Sequence, residues 1–252
     1  MKKCEMIFGV HAVIEAIHVG KEIDKILIRR DLQSKLLYEL FSIIKRKGTN
    51  ISIRRVPREK LDRLTSKNHQ GLIAFISIIT YQKLGDIVPF LYEEGKIPIV
   101  LLLDGITDVR NFGAIARSCE CAGVNAIVVP FVNSVSVNAD AIKTSAGALI
   151  SLPVCREISI VNAVKFLKLC GYKVYATTEK AVTPYTEVNY TQPTAIVVGS
   201  EDKGISLNVL SICDQLVRIP VFGNIASLNV SAATAVLLYE VVRQKGLNLQ
   251  PH

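Results

Sequence analysis

The chain has 252 residues, half of them hydrophobic and 21% charged, with 30 Lys and Arg against 22 Asp and Glu and a net charge of +8. That composition excludes a disordered chain and supplies enough apolar mass for a large core without disulfide or metal staples. The longest apolar runs, 97–103 and 126–132, are far below the roughly 18 to 20 residues that span a bilayer.

The N-terminus opens with basic residues, but Glu5, His11 and Glu15 interrupt any apolar signal segment, so export is not expected. Strands are then expected at 25–28, 51–56 and 72–78. A helix lies between the first two, where Leu32, Leu36, Leu40 and Ile44 recur every four residues and Lys45, Arg46, Lys47 and Gly48 close it. Residues 80–97, with Gly85, Pro89, Gly95 and Pro98, read as a linker holding one helical turn or two. A second series of strands follows at 99–103, 126–129, 173–177, 194–198 and 215–219, nearly continuous apolar runs of the kind buried on both faces of a parallel sheet. Helices are expected at 113–122, 162–170 and 229–243, closed by Gly123, Gly171 and Gly246. The alternation gives an α/β fold with parallel sheet. The domain reading is 1–79, a linker at 80–97, and 98–252.

Six cysteines, Cys4, Cys119, Cys121, Cys155, Cys170 and Cys213, form no Cys-x-x-Cys, and the four histidines have no metal-ligand spacing. Reduced thiols in a cytoplasmic protein and no metal are the expectation. The positive charge admits a polyanionic partner without requiring one. Arg29, Arg30, Lys45 to Lys47, Arg54, Arg55 and Arg58 would give the N-terminal part an RNA-facing charge or a merely solvated surface. Phe8, Tyr38 and Tyr81 read as packing residues rather than stacking platforms.

Ligands in open α/β sheets bind beyond the carboxyl ends of the strands, so three loops carry the chemistry. The first runs from Asp104 through Asn111 and Gly113 to Arg117, which sits among Ala114, Ile115, Ala116 and Cys119 and is expected to be buried or to line a cleft, with Asn111 capping the helix. The second, Gly199-Ser200-Glu201-Asp202-Lys203-Gly204, is neither a Walker loop nor part of a Gly-x-Gly-x-x-Gly dinucleotide fingerprint. The third, from Ile219 to Ser231, feeds the last helix through Ser227 and Asn229, either of which could cap it. Ala232, Ala233 and Ala235 would then permit close packing on another helix or a second subunit.

Together these loops resemble the three motifs of the SpoU family of S-adenosylmethionine-dependent RNA ribose 2'-O-methyltransferases, within the SPOUT superfamily. Asn111, Gly113 and Arg117 look like motif one, Ile196 to Glu201 with Gly204 like motif two, and Ile219-Pro220 through Ser227-Leu228-Asn229-Val230-Ser231 like motif three. Residues 7–16 and His69-Gln70-Gly71 resemble the substrate-binding domain of the branch that methylates a guanosine in 23S rRNA. Val109 and Val221 depart from the Pro and Met common in the family. The resemblance implies a small N-terminal α/β substrate-binding domain and an α/β-knot (trefoil) catalytic domain that works as a homodimer on RNA with S-adenosyl-L-methionine. It implies cofactor binding near Thr177, Gly199, Ile219 and Leu228. It assigns Arg117 to activating the 2'-OH, Asn111 to orienting the loop and ribose, Glu201 to fixing Arg117, and Ser227 and Asn229 to binding substrate or positioning Arg117. Rival readings are a transfer-RNA or other rRNA target, and a catalytically silent RNA-binding assembly factor of the same fold.

Overall fold

The computed structural model describes residues 6–48, 51–93, 97–135 and 137–246. Cys4 and Gly95, which entered the sequence reading, lie outside them. The chain divides into two compact units, the first built on residues up to Thr80 and the second on Tyr81–Val135 and Asp140 onward.

The first unit runs β1 (Met6–Phe8), α1 (Val10–His18), β2 (Ile23–Arg29), α2 (Lys35–Arg46), β3 (Ser52–Val56), α3 (Arg58–Asp62) and β4 (Leu72–Ile76), with sheet order β1-β4-β2-β3. The expected helix begins at Lys35 rather than Leu32 because Ser34 caps it, its Oγ accepting from the Leu37 amide at 3.1 Å. Leu37, Leu40 and Ile43 bury against Ile26, Ile28, Leu72 and Ala74, with α1 adding Val13 and Ile17 to the same face. Only β2 and β3 are parallel; β4 runs antiparallel to both β1 and β2, so the parallel expectation fails in this unit. An apolar run reads the same in either direction, which is why periodicity did not reveal the reversal.

The second unit contains α4 (Leu84–Glu93), β5 (Ile99–Asp104), α5 (Val109–Cys121), β6 (Ala126–Pro130), α6 (Ala139–Thr144), α7 (Ala148–Ser151), β7 (Val154–Glu157), α8 (Ile160–Leu169), β8 (Lys173–Thr177), β9 (Thr194–Gly199), α9 (Leu207–Leu210), β10 (Gln215–Val217) and α10 (Val230–Lys245). Its six strands are all parallel in the order β10-β8-β9-β5-β6-β7. Val100 to Leu103 are fully buried, as their unbroken apolar run requires. The stretch expected to be a linker instead forms the ten-residue α4, whose Leu84 and Val88 enter the core of this unit beside Val100 and Leu102. β10 stops short of Ile219 because the chain turns to pair with 183–185, Arg218 donating to the Thr183 carbonyl at 2.9 Å and its own carbonyl accepting from Tyr185 at 2.9 Å. The cysteines described are free, and burial pushes the Cys155 and Cys213 thiols up to about 12, far from reactivity.

Candidate functional site

The site is assembled at the carboxyl end of the second sheet. β5 ends at Asp104, and the chain turns through Gly105 at φ +77° into α5. Asp108, not Asn111, caps that helix: its Oδ1 accepts from the amides of Arg110 and Asn111, each at 2.8 Å. Asn111 therefore sits in the first turn with its side-chain amide free for other partners. Gly113 is buried where α6 crosses α5, and a Cβ there would lie 2.6 Å from the Thr144 Cβ. The motif-one glycine thus sets how closely the two helices pack.

The motif-two loop closes on itself. Gly204 donates to the Ser200 carbonyl at 2.8 Å, Lys203 to the Ser200 Oγ at 3.2 Å, and a Cβ on Gly199 would stand 2.1 Å from the Gly204 carbonyl carbon. Asp104 anchors the loop to β5, its carbonyl accepting from the Ser200 amide at 3.1 Å and its Oδ2 from the Ser206 amide at 2.8 Å. This packing presents Glu201 outward.

Asn229 joins the three motifs. As N-cap of α10 it accepts through Oδ1 from the Ser231 amide at 2.9 Å and the Ser231 hydroxyl at 2.5 Å. Its Nδ2 donates to Asn111 Oδ1 at 3.0 Å and to Glu201 Oε1 at 2.5 Å. One amide so uses both donors to hold two motifs in place. Asn111 keeps its Nδ2 to donate and Glu201 its second oxygen to accept, complementary to a hydroxyl that both gives and takes a hydrogen bond.

Two sequence expectations need correction. Arg117 is exposed rather than buried, and Glu201 pairs with Asn229 rather than with Arg117. Helix geometry gives the reason: Arg117 is six residues beyond Asn111, roughly 120° around α5 and about 9 Å along it, so the two side chains leave on different faces. Ser227 is also exposed and does not join the Asn229 cluster.

The four residues expected at a cofactor lie around adjacent strand ends. Thr177 ends β8, Gly199 ends β9, and Ile219 follows β10; Val217 is in register with Thr177, and β8 adjoins β9. The Thr177 hydroxyl is buried with no hydrogen-bond partner. Leu228, Val221 and Ile225 expose apolar surface in the loop that follows. A buried, unsatisfied hydroxyl at the end of β8, next to the end of β9, fits an adenosine moiety.

A cavity of about 630 Å³ opens at the ends of β5, β6 and β9, lined by Thr107, Val132, Asn133, Ser159 and Lys203 among others. None of Thr177, Gly199, Ile219 and Leu228 lines it, so it is distinct from the expected cofactor region. Among the described residues no cluster of His, Cys, Asp and Glu could hold a metal ion. Asp104 and Asp108, which brace the site, belong to none of the three motifs; an aspartate at a strand end and another just before a helix are the signals that could have found them.

Residues 98–239 match the SpoU rRNA Methylase family, and residues 6–82 match the RNA 2'-O ribose methyltransferase substrate-binding family. A protein of Staphylococcus saprophyticus named for the TrmH family of tRNA/rRNA methyltransferases is 35% identical over 240 residues, covering 95% of this chain and 96% of that one. The crystal structure of the SpoU methyltransferase AviRb from Streptomyces viridochromogenes, in complex with the cofactor AdoMet, aligns with a TM-score of 0.60 at 25% identity over 96% of this chain and 91% of that one. The A. aeolicus TrmH/SpoU tRNA modifying enzyme aligns with a TM-score of 0.55 at 29% identity, covering 65% of this chain and 84% of its own.

Proposed function

The chain belongs to the SpoU rRNA methylase family and is an RNA ribose 2'-O-methyltransferase that uses S-adenosylmethionine; on that premise we propose that its target is a guanosine 2'-OH of 23S rRNA. The observation that carries the reading of the site is the Asn229 amide bonded to both Asn111 and Glu201, which brings one residue from each motif to one point. The match of residues 6–82 to a substrate-binding family supports a ribosomal target, whereas the A. aeolicus tRNA enzyme aligns with only 65% of this chain. In this reading residues 1–79 grip RNA, residues 98–252 transfer the methyl, and the reaction takes place in the cytoplasm during rRNA processing.

When bound near Thr177, Gly199, Ile219 and Leu228, S-adenosylmethionine supplies an electrophilic methyl on a sulfonium. The chain's task is to place the 2'-oxygen in line with that methyl, an effect worth on the order of 7 to 11 kcal/mol in well-oriented reactions. Asn111 and Glu201 orient the hydroxyl by donating to it and accepting from it, and Ser227, exposed in the loop before α10, contacts the substrate elsewhere. Arg117 stabilises the negative charge that builds on the oxygen as its proton passes to water. A guanidinium keeps its proton and is a poor base, so its role is electrostatic. Because Arg117 leaves α5 on a different face from Asn111, the cation that completes each site is Arg117 of the partner subunit in a homodimer. The exposed apolar side chains of Phe222, Ile225 and Leu228 support such an interface.

Nucleoside mass spectrometry of 23S rRNA and of total tRNA, from cells with and without the gene, tests the target. Loss of one 2'-O-methylguanosine from 23S rRNA alone is expected. An unchanged rRNA profile with a methylated nucleoside missing from tRNA would move the target to tRNA.

A further inference from the structure

The first unit's sheet is covered unequally. One face carries α1 and α2. Against the other packs the five-residue α3, whose Leu61 meets Leu27, Val56 and Ile73. Register places the remaining side chains of that face in rows: Met6, Phe75 and Lys25 lie side by side on β1, β4 and β2, and Phe8, Ile73, Leu27 and Arg54 form the next row. Phe8, Phe75 and Met6 are only half-buried. Each ring turns a face to a cation, Lys25 Nζ lying 4.6 Å from the Phe75 centroid and Lys67 Nζ 5.7 Å from that of Phe8. Around them the stretch 52–67 carries six basic residues and two acidic ones.

We propose that this open face, centred on Phe75 and Phe8 and flanked by Lys25, Lys67 and Arg54, is a stacking platform for unpaired bases of the RNA substrate. The ammonium over each ring can swing out to the phosphates that connect unpaired bases, which leaves the ring's face for a base to stack on. Single-stranded RNA matches this pairing of flat apolar surface with positive charge. Phe8 packs against the Leu61 cluster, as expected of a packing residue, and keeps part of its surface exposed. The proposal rests on the chain being an RNA methyltransferase, and the two fail separately: methyl transfer to rRNA without base contact at Phe75 refutes only the platform.

The chain has no Trp, so a single introduced indole reports on its own position. Phe75→Trp and, on α2 across the sheet, Tyr38→Trp are each titrated with a single-stranded RNA of about 12 nucleotides, within the span one small domain covers. Binding is followed in parallel by anisotropy of a dye on the RNA. Fluorescence quenching on binding is expected for Phe75→Trp and not for Tyr38→Trp. Phe75→Leu, which keeps the apolar volume, is expected to weaken binding about tenfold with an unchanged thermal midpoint. No RNA binding, binding without quenching at position 75, or equal quenching at position 38 overturns the platform. So does a Phe75→Leu protein that binds RNA normally but changes its sedimentation, which would make the face a contact between copies of the chain.

Discussion

Gly199 and Arg117 carry opposite constraints within one site. Gly199 has no room for a side chain, because a Cβ would sit 2.1 Å from the backbone of its own loop. Gly199→Ala must therefore displace the loop that ends β9, and overpacking of this kind costs about 3 kcal/mol; the expected result is a lower thermal midpoint together with loss of cofactor binding by calorimetry. Arg117 is exposed, so Arg117→Ala should leave the midpoint and cofactor affinity near wild type while methyl transfer to rRNA falls to background. Normal cofactor binding by Gly199→Ala, or near-normal transfer by Arg117→Ala, would remove that residue from its role. Asn111, Gly199, Glu201 and Asn229 were picked out by the resemblance to the three family motifs, because a helix cap or a strand-to-helix turn accounts for such residues equally well by spacing alone. Their pairing was not, since whether Glu201 meets Arg117 or Asn229 depends on which way α5 turns its side chains after the Asp108 cap.

At the scale of elements, the long strands of the second sheet were readable because burial on both faces imposes a composition, as in β5 and β9. β1, with three residues, and β7, with four, are too short to show a period, and α4 was hidden by the helix-breaking reputation of Pro89 and Gly85. α10 matched expectation closely, and one polar network ties it down. Glu240, although buried, takes two hydrogen bonds from Arg243 at 2.7 and 2.8 Å and one from Gln244 at 2.7 Å, while Gln244 reaches the Val188 carbonyl and the Tyr190 amide, each at 2.9 Å. Glu240→Ala should destabilise the protein by about 1 kcal/mol, since it removes hydrogen bonds from an exposed Arg243 and a half-buried Gln244, both of which water can then solvate. Its acid dependence has a definite sign. Donation from Arg243 holds the Glu240 carboxyl below its ordinary 4.5, against the opposing effect of burial. The unfolded chain binds the proton first as pH falls, so this stabilisation is complete above about 4.5 and is lost as pH drops through the lower folded value. Urea denaturation of wild type and Glu240→Gln should therefore differ most at neutral pH and converge in acid. A constant difference would show that the carboxylate charge contributes nothing.

At the scale of the whole molecule, the α/β class followed from the alternation of elements along the chain. A knotted threading of the kind the family resemblance implies leaves no trace in hydrophobic periodicity, because the period records which faces are buried and not the order in which the chain passes through itself. Subunit number is equally invisible to it, yet the proposed mechanism makes it decisive. If Asn111, Glu201 and Asn229 come from one protomer and Arg117 from its partner, each site of a symmetric dimer draws on two chains. Arg117→Ala and Glu201→Gln should each be inactive alone. Mixed in equal amounts and allowed to exchange subunits, they form a heterodimer in about half of cases, with one site carrying both substitutions and the other carrying neither, so the mixture should recover about a quarter of wild-type transfer. If Arg117 instead acts within its own chain, both sites of the heterodimer carry a defect and the mixture stays inactive. The recovered fraction, measured with tritiated methyl donor on 23S rRNA, distinguishes the two arrangements directly.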